Sequence, residues 1–151
     1  MKKEMGIEGV GPKIVGITLV YLVIAYFLDT NFHSTFTILN SSDSLNWLTL
    51  ILFVIGMVLW ISSAVMMLLY FPKGKLITSG PFRFFLNPLY NAFMLFLLPA
   101  LALHLNSWIY FGASIVFYIA QNVLCKAEEK YLIETFGKEY EDYRKKVIFK
   151  F

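Results

Sequence analysis

Hydrophobic residues in this chain do not alternate with polar ones but run in blocks of the length a bilayer demands. Crossing about 30 Å of hydrocarbon at about 1.5 Å per residue takes roughly 20 apolar residues in a helix. Residues 11–28 form the shortest such block, and residues 45–71 form one that is free of charge and long enough to tilt. The stretch 84–125 holds no Lys, Arg, Asp or Glu and is too long for one span. Leu105, Asn106 and Ser107 divide it, which predicts a tight helical hairpin with arms at 88–104 and 107–125. Pro99 should kink the first arm, because it lacks an N–H and crowds the preceding turn.

The pattern changes after Cys125. Leu132, Phe136, Tyr140, Tyr143 and Val147 recur at helical spacing within 126–147, and Gly137 marks a break between two short helices. Glu134 and Lys138, Glu141 and Lys145, and Asp142 and Lys146 each stand four apart in the order that favours pairing. The expected fold is an all-α integral membrane protein, a single domain over 1–151. It has about four transmembrane helices and a C-terminal amphipathic helical segment outside the membrane.

Composition agrees with this pattern. Hydrophobic residues make up 58% of the chain and charged residues 15%, against about a quarter charged in a typical soluble domain. A lone cysteine, Cys125, excludes an intramolecular disulfide and a CxxC metal site; it reads as a boundary thiol packing as a small hydrophobe. The apolar run after Lys2, Lys3 and Lys13 resembles a signal peptide. Asp29-Thr30-Asn31 offers no small-x-small cleavage pattern, so the run is expected to stay as a span.

Charge placement then orients the chain. The net charge is +3, from thirteen Lys and Arg. Three lie at the N-terminus, Lys73, Lys75 and Arg83 lie between the second and third spans, and seven follow Cys125. With an even number of spans all thirteen fall on one side, which the positive-inside rule makes cytosolic, together with both termini.

The apolar zone is nearly free of ionisable groups, which counts against a pump or ion-coupled transporter. His104 reads as a boundary residue facing water. Polar density gathers instead at the cytosolic edge. The connection 72–87 combines Gly74, Gly80, Pro72 and Pro81 with Lys73, Lys75 and Arg83. Glu128 and Glu129 stand together where the fourth span leaves the bilayer. A basic, aromatic interfacial loop and a solvated helix start would account for both features without any activity.

Gly80-Pro81-Phe82-Arg83 followed by Asn87-Pro88-Leu89-Tyr90 resembles the pattern G-P-Y/F-R then R-H/N-P-x-Y. Glu128-Glu129 followed by Leu132, Phe136-Gly137, Tyr140 and Tyr143 resembles E-E-x-x-L…F-G-x-x-Y-x-x-Y. The two together, flanking a helical hairpin, are similar to the isoprenylcysteine carboxyl methyltransferase and phospholipid methyltransferase superfamily of small membrane enzymes. The resemblance covers about half of the chain.

That resemblance implies a cytosol-facing pocket for S-adenosyl-L-methionine, formed by Gly74, Lys75, Leu76, Ile77, Phe82, Asn87, Pro88, Leu89 and Tyr90. Glu129 would take the cofactor's cationic amino-acid end. Lys126 and Glu128 would lie at the reacting end, with Lys126 in place of an arginine that carboxylate-methylating members carry about one turn before the glutamates. Leu86 replaces the motif's arginine, Asn87 its histidine and Phe82 its tyrosine. The acceptor implied is lipophilic or prenylated and reaches the site from the bilayer: an isoprenylcysteine-like carboxylate or thiol, or a lipid amine. No metal and no nucleic-acid partner is expected. Two alternatives remain at this level, an NADPH-dependent membrane reductase of the sterol-reductase type and a non-catalytic protein retaining the fold. NADPH would need several cations for its phosphates, and the connection offers only Lys73, Lys75 and Arg83.

Overall fold

The computed structural model describes residues 10–39 and 43–150, and its long helices follow from the apolar blocks. Helix α1 spans Gly11–Phe36 and α2 Asp43–Tyr70. Helix α3 is Pro88–His104, α4 is Phe111–Phe136 after a 3-10 turn at Trp108–Tyr110, and α5 is Lys138–Lys146. No strand occurs among the described residues; two single bridges, Thr37 with Ser107 and Phe85 with Phe149, tie chain segments together. Lys2, Lys3 and Ser41 lie outside the described residues.

Three helices are long and apolar enough to cross a membrane: Gly11–Phe36, Leu45–Tyr70 and Trp108–Phe136. Helix α3 is apolar but shorter, about 25 Å at 1.5 Å per residue. The apolar block 11–28 is the first part of a longer helix, which continues to Phe36 through a kink at Phe32 (φ −133°, ψ 31°). The block 107–125 likewise runs on, so Glu128 and Glu129 sit inside α4. Pro99 lies two residues after a π-helical segment, Phe93–Leu97. A widened turn there accommodates the missing donor and the ring's clash with the turn before it.

Helices α1 and α4 pack along complementary stripes. Ile14, Thr18, Ala25 and Asp29 are buried on α1, in steps of four and seven, and Ala113, Phe117, Ala120, Gln121 and Cys125 on one face of α4. Small residues at Ala25, Ala102, Ala113 and Ala120 let the backbones approach closely, as membrane helix interfaces require. The outward faces are apolar too: Val20, Phe27, Val58, Leu68, Ile115 and Val123 are each more than half exposed. Hydrocarbon, not water, is the solvent that tolerates such a surface. His104 is exposed at the hairpin end of α3.

At that end a polar knot joins α1 to the hairpin. Ser107 Oγ donates to Asp29 Oδ1 at 2.7 Å, and His33 Nδ1 lies 3.1 Å from the same oxygen. Asn106, in the left-handed region at φ 51°, exchanges two hydrogen bonds with the backbone of Leu39. Asparagine is among the few residues that adopt this conformation readily.

At the opposite end the C-terminal segment folds back over the bundle. Gly137 takes φ +53°, where a side chain would be strained, and turns α4 into α5. Tyr140, Tyr143 and Val147 then bury themselves against Leu76, Phe82, Leu86, Leu132 and Phe136. The three ion pairs expected at four-residue spacing do not form. Lys130 pairs with Glu134 and Lys145 with Asp142 instead. Glu134 and Lys138 stand on opposite sides of the Gly137 turn, so no continuous helix aligns them.

Candidate functional site

The connection between α2 and α3 is not a free loop. Phe71–Lys73 and Gly80–Arg83 form 3-10 turns, and Lys75 N–H donates to Tyr70 O at 3.4 Å. Gly80 adopts φ +58°, and a Cβ there would come 2.7 Å from Met66 Sδ of α2. Pro88 opens α3, and its ring keeps Asn87 out of the helical region, at φ −126°, ψ 70°. The chain therefore arrives at Tyr90 by a path that its glycines and prolines dictate.

The tail clasps this connection from the other side. Tyr143 Oη donates to Phe82 O at 2.7 Å. Leu86 N–H donates to Phe149 O at 3.0 Å, Phe149 N–H donates to Phe84 O at 2.9 Å, and the rings of Phe85 and Phe149 stack with centroids 5.1 Å apart.

Between connection, tail and bundle lies a cavity of about 420 Å³, within the range of small-molecule sites. Lys75, Leu76, Ile77, Phe82, Asn87, Pro88, Leu89, Tyr90 and Glu128 all line it. The wall extends between the long apolar helices through Val15, Trp60, Met67, Phe93 and Phe117. Of the described cationic residues only Lys75 lines the cavity, and Glu128 is its only acidic one.

Glu128 is held from two directions. Val10, at the start of α1, donates its N–H to Oε1 at 2.7 Å, and Tyr90 Oη donates to the same oxygen at 3.0 Å. The first N–H groups of a helix lack intrahelical partners and carry the positive end of its dipole, so a carboxylate from α4 is a favourable cap. Glu128 thus ties three helices together at the cavity wall.

Three residues expected at the site stand elsewhere. Gly74, at φ +62° in the turn before Lys75, shapes the path but does not line the cavity. Lys126 is exposed on another face of α4, because two residues turn a helix about 200° from Glu128. Glu129 faces away from the main cavity. Its Oε1 makes an off-axis ion pair with Arg144 Nε at 2.7 Å.

Further residues complete the wall, some from the second motif and some from outside both. Leu132 and Phe136 follow Glu128 at four-residue steps on one face of α4, a spacing visible in the sequence. Gly11, Val15, Trp60 and Met67 come from the first half of the chain, and no local pattern marks them. Burial raises the phenol of Tyr140, helped by the nearby Glu129 carboxylate, to about 12. Burial raises that of Tyr143 as well, so both present neutral hydroxyls.

A wall of aromatic faces with one carboxylate suits an organic cation better than an anion. It provides no catalytic triad, and no group of His, Cys, Asp and Glu able to hold a metal occurs among the described residues. No characterised protein and no solved structure matches the chain. The sequence model of one family, phospholipid methyltransferase, matches residues 47–139. That match takes in most of α2, the connection, the hairpin and the glutamate pair, more than half of the chain. The chain is a membrane protein belonging to the phospholipid methyltransferase family.

Proposed function

We propose that the protein transfers a methyl group from S-adenosylmethionine to a membrane-associated acceptor at the cytosolic edge of the bilayer. The observation that carries this reading is the meeting of Lys75–Ile77, Phe82, Asn87–Tyr90 and Glu128 on the wall of one cavity. Residues from both family motifs thus converge in space.

When bound, the cofactor supplies an activated methyl group on a sulfonium. The chain's own residues then have three tasks: align donor and acceptor, exclude water and avoid trapping the positive charge. The aromatic faces of Phe82, Tyr90 and Tyr140 offer cation–π contact to a sulfonium without a fixed counter-charge that would favour the ground state. Glu128 is available to the cofactor's amino-acid end. The closed tail, pinned by Tyr143 to Phe82 O, keeps water from the reacting atoms. Trp60, Met67, Phe93 and Phe117 extend the cavity to a depth that an apolar acceptor reaches from the bilayer. A single cation, Lys75, supports this cofactor over NADPH, whose phosphates call for several.

Isothermal titration of the protein in lipid nanodiscs tests the reading, with S-adenosylmethionine and NADPH in separate runs. Binding of the first and not the second is expected. Folded protein that shows no heat with S-adenosylmethionine at millimolar concentration would refute it. The proposed orientation has a separate check. A Ser41→Cys variant should react with an impermeant maleimide from outside intact cells, and labelling only after permeabilisation would reverse it.

A further inference from the structure

Exposed apolar side chains persist on the clasp between connection and tail, beyond the ends of the long helices. Phe84 is 49% exposed and Ile148 63%. They belong to the two segments that the clasp joins, where Phe149 N–H donates to Phe84 O and the rings of Phe85 and Phe149 stack. Arg83 precedes the first segment and Lys150 follows the second, and both are exposed.

The backbone beneath these side chains needs no water. The N–H groups of Phe84 and Phe85 both donate to Pro81 O at 3.1 Å, and Leu86 N–H donates to Phe149 O at 3.0 Å. Phe84 O in turn accepts the Phe149 N–H. Three successive N–H groups of a non-helical stretch are thus bonded within the protein, as hydrocarbon requires of irregular backbone. A loop in water can leave such groups to the solvent.

Two lengths set the depth of this stretch. Helix α3, at about 25 Å, falls about 5 Å short of the hydrocarbon thickness. At the hairpin end the chain turns at once through Asn106, so the deficit falls at the other end, where Phe84, Phe85 and Leu86 precede Asn87. On the neighbouring helix, Lys150 lines a recess with Asn122, Cys125 and Glu129. Those residues stand about 21–32 Å along α4 from Trp108, the level at which about 30 Å of hydrocarbon ends. Val123, 62% exposed, lies at that level too. The patch is therefore continuous with a surface that lipid already covers.

We propose that Phe84 and Ile148 form a wedge seated in the acyl–headgroup boundary of the leaflet, so that the bilayer itself holds the tail closed over the main cavity. Arg83 and Lys150 suit this depth, since long cationic side chains lay their stems on apolar surface and send their charge to water. Glu139 and Asp142 share a groove with Arg83, and Glu128 and Glu129 line the recess with Lys150. The flanking charge is thus balanced, and the grip is apolar. The inference is independent of what the cavity binds.

Depth is measured on the whole protein in phosphatidylcholine nanodiscs, with lipids that carry a nitroxide near the acyl carboxyl group. Ile148→Cys bears a bimane dye, in a Cys125→Ala background so that a single thiol is labelled. Quenching should be comparable to that of Val123→Cys on the lipid face of α4 and several-fold stronger than that of Glu141→Cys on α5. Quenching no stronger than at Glu141 would place the tail in water and overturn the proposal. A blue-shifted but unquenched dye would mean that a second copy of the chain covers the patch, which overturns it equally.

Closure is read by hydrogen exchange of peptides covering 82–90 and 140–150 in unlabelled protein. Ile148→Asp removes a side chain that is mostly exposed, so protein contacts alone would barely register the change. Loss of the wedge should speed exchange of the Leu86 and Phe149 amides about tenfold in nanodiscs. Unchanged exchange would show that the tail closes without the bilayer, and the proposal fails. Phe84→Ser replaces Ile148→Asp if the latter does not fold, with the same expected and overturning results.

Discussion

Tyr90 and Glu128, 38 positions apart, are joined by a 3.0 Å hydrogen bond from phenol to carboxylate. The bond links the helix that follows the glycine-proline connection to the helix that leads into the tail. It also fixes the one carboxylate of the main cavity, whose Oε1 takes the Val10 N–H at 2.7 Å as well.

This arrangement separates the two glutamates experimentally. Glu128→Gln should weaken S-adenosylmethionine at least tenfold, about 1.4 kcal/mol. Glu129→Ala should change affinity less than threefold. Its ion pair with Arg144 is partly exposed, so its loss should cost stability only about 0–1 kcal/mol. Calorimetric titration of both variants decides the assignment, and the reverse order would return the role to Glu129. Tyr90→Phe should fall between them, since it removes one of two donors and leaves the ring.

The connection should be more sensitive at Gly80 than at Gly74. Both glycines have positive φ, +58° and +62°, and alanine in that region costs about 1–2 kcal/mol. At Gly80 the added Cβ also meets Met66, whereas Gly74 has open space around it. Thermal unfolding should therefore rank Gly80→Ala below Gly74→Ala, with S-adenosylmethionine affinity following the same order. Equal midpoints would show that Met66 yields freely.

The far end of the bundle should affect stability without touching the site. Ser107→Ala leaves the buried Asp29 carboxylate without its 2.7 Å donor, a loss of roughly 1.5–3 kcal/mol for a hydrogen bond to a charged group. The unfolding midpoint should drop, and S-adenosylmethionine affinity measured below the transition should not change. A loss of affinity would mean that the hairpin transmits strain to the cavity.

Alkaline pH should release the tail. The Tyr140 phenol sits at about 12 in the folded protein against an ordinary value of 10.0. The folded state thus holds its proton more tightly than the unfolded state does. The stability this gives is complete below about pH 10 and is lost as pH rises through about 12. In Tyr140→Phe that part of the loss should vanish, so its stability should fall less steeply between those values. Matching alkaline profiles for variant and wild type would show that Tyr140 is not the group concerned.

Much of the architecture could be read along the chain because a bilayer imposes local rules. A helix crossing hydrocarbon must satisfy its own backbone, so long apolar blocks are helices whatever their neighbours. The hairpin break at Asn106 and the hinge at Gly137 were legible for a similar reason: few residues adopt positive φ. Helix ends were less legible. Helix α1 continues over Asp29–Phe36 and α4 over Lys126–Phe136, because hydropathy marks the membrane and not the last hydrogen bond. The expected pair of Glu134 with Lys138 failed where Gly137 breaks the register.

The sequence by itself determined the membrane class, the helical hairpin and the two motifs, since each depends on residue type and short spacing. Only the tertiary structure decided which carboxylate faces the cavity. Glu128 and Glu129 are adjacent and chemically alike, but about 100° separates them around a helix axis. Val10 and Tyr90 claim one and Arg144 the other. The contributions of Trp60 and Met67 were likewise decided by how distant helices meet. No spacing along a chain records that.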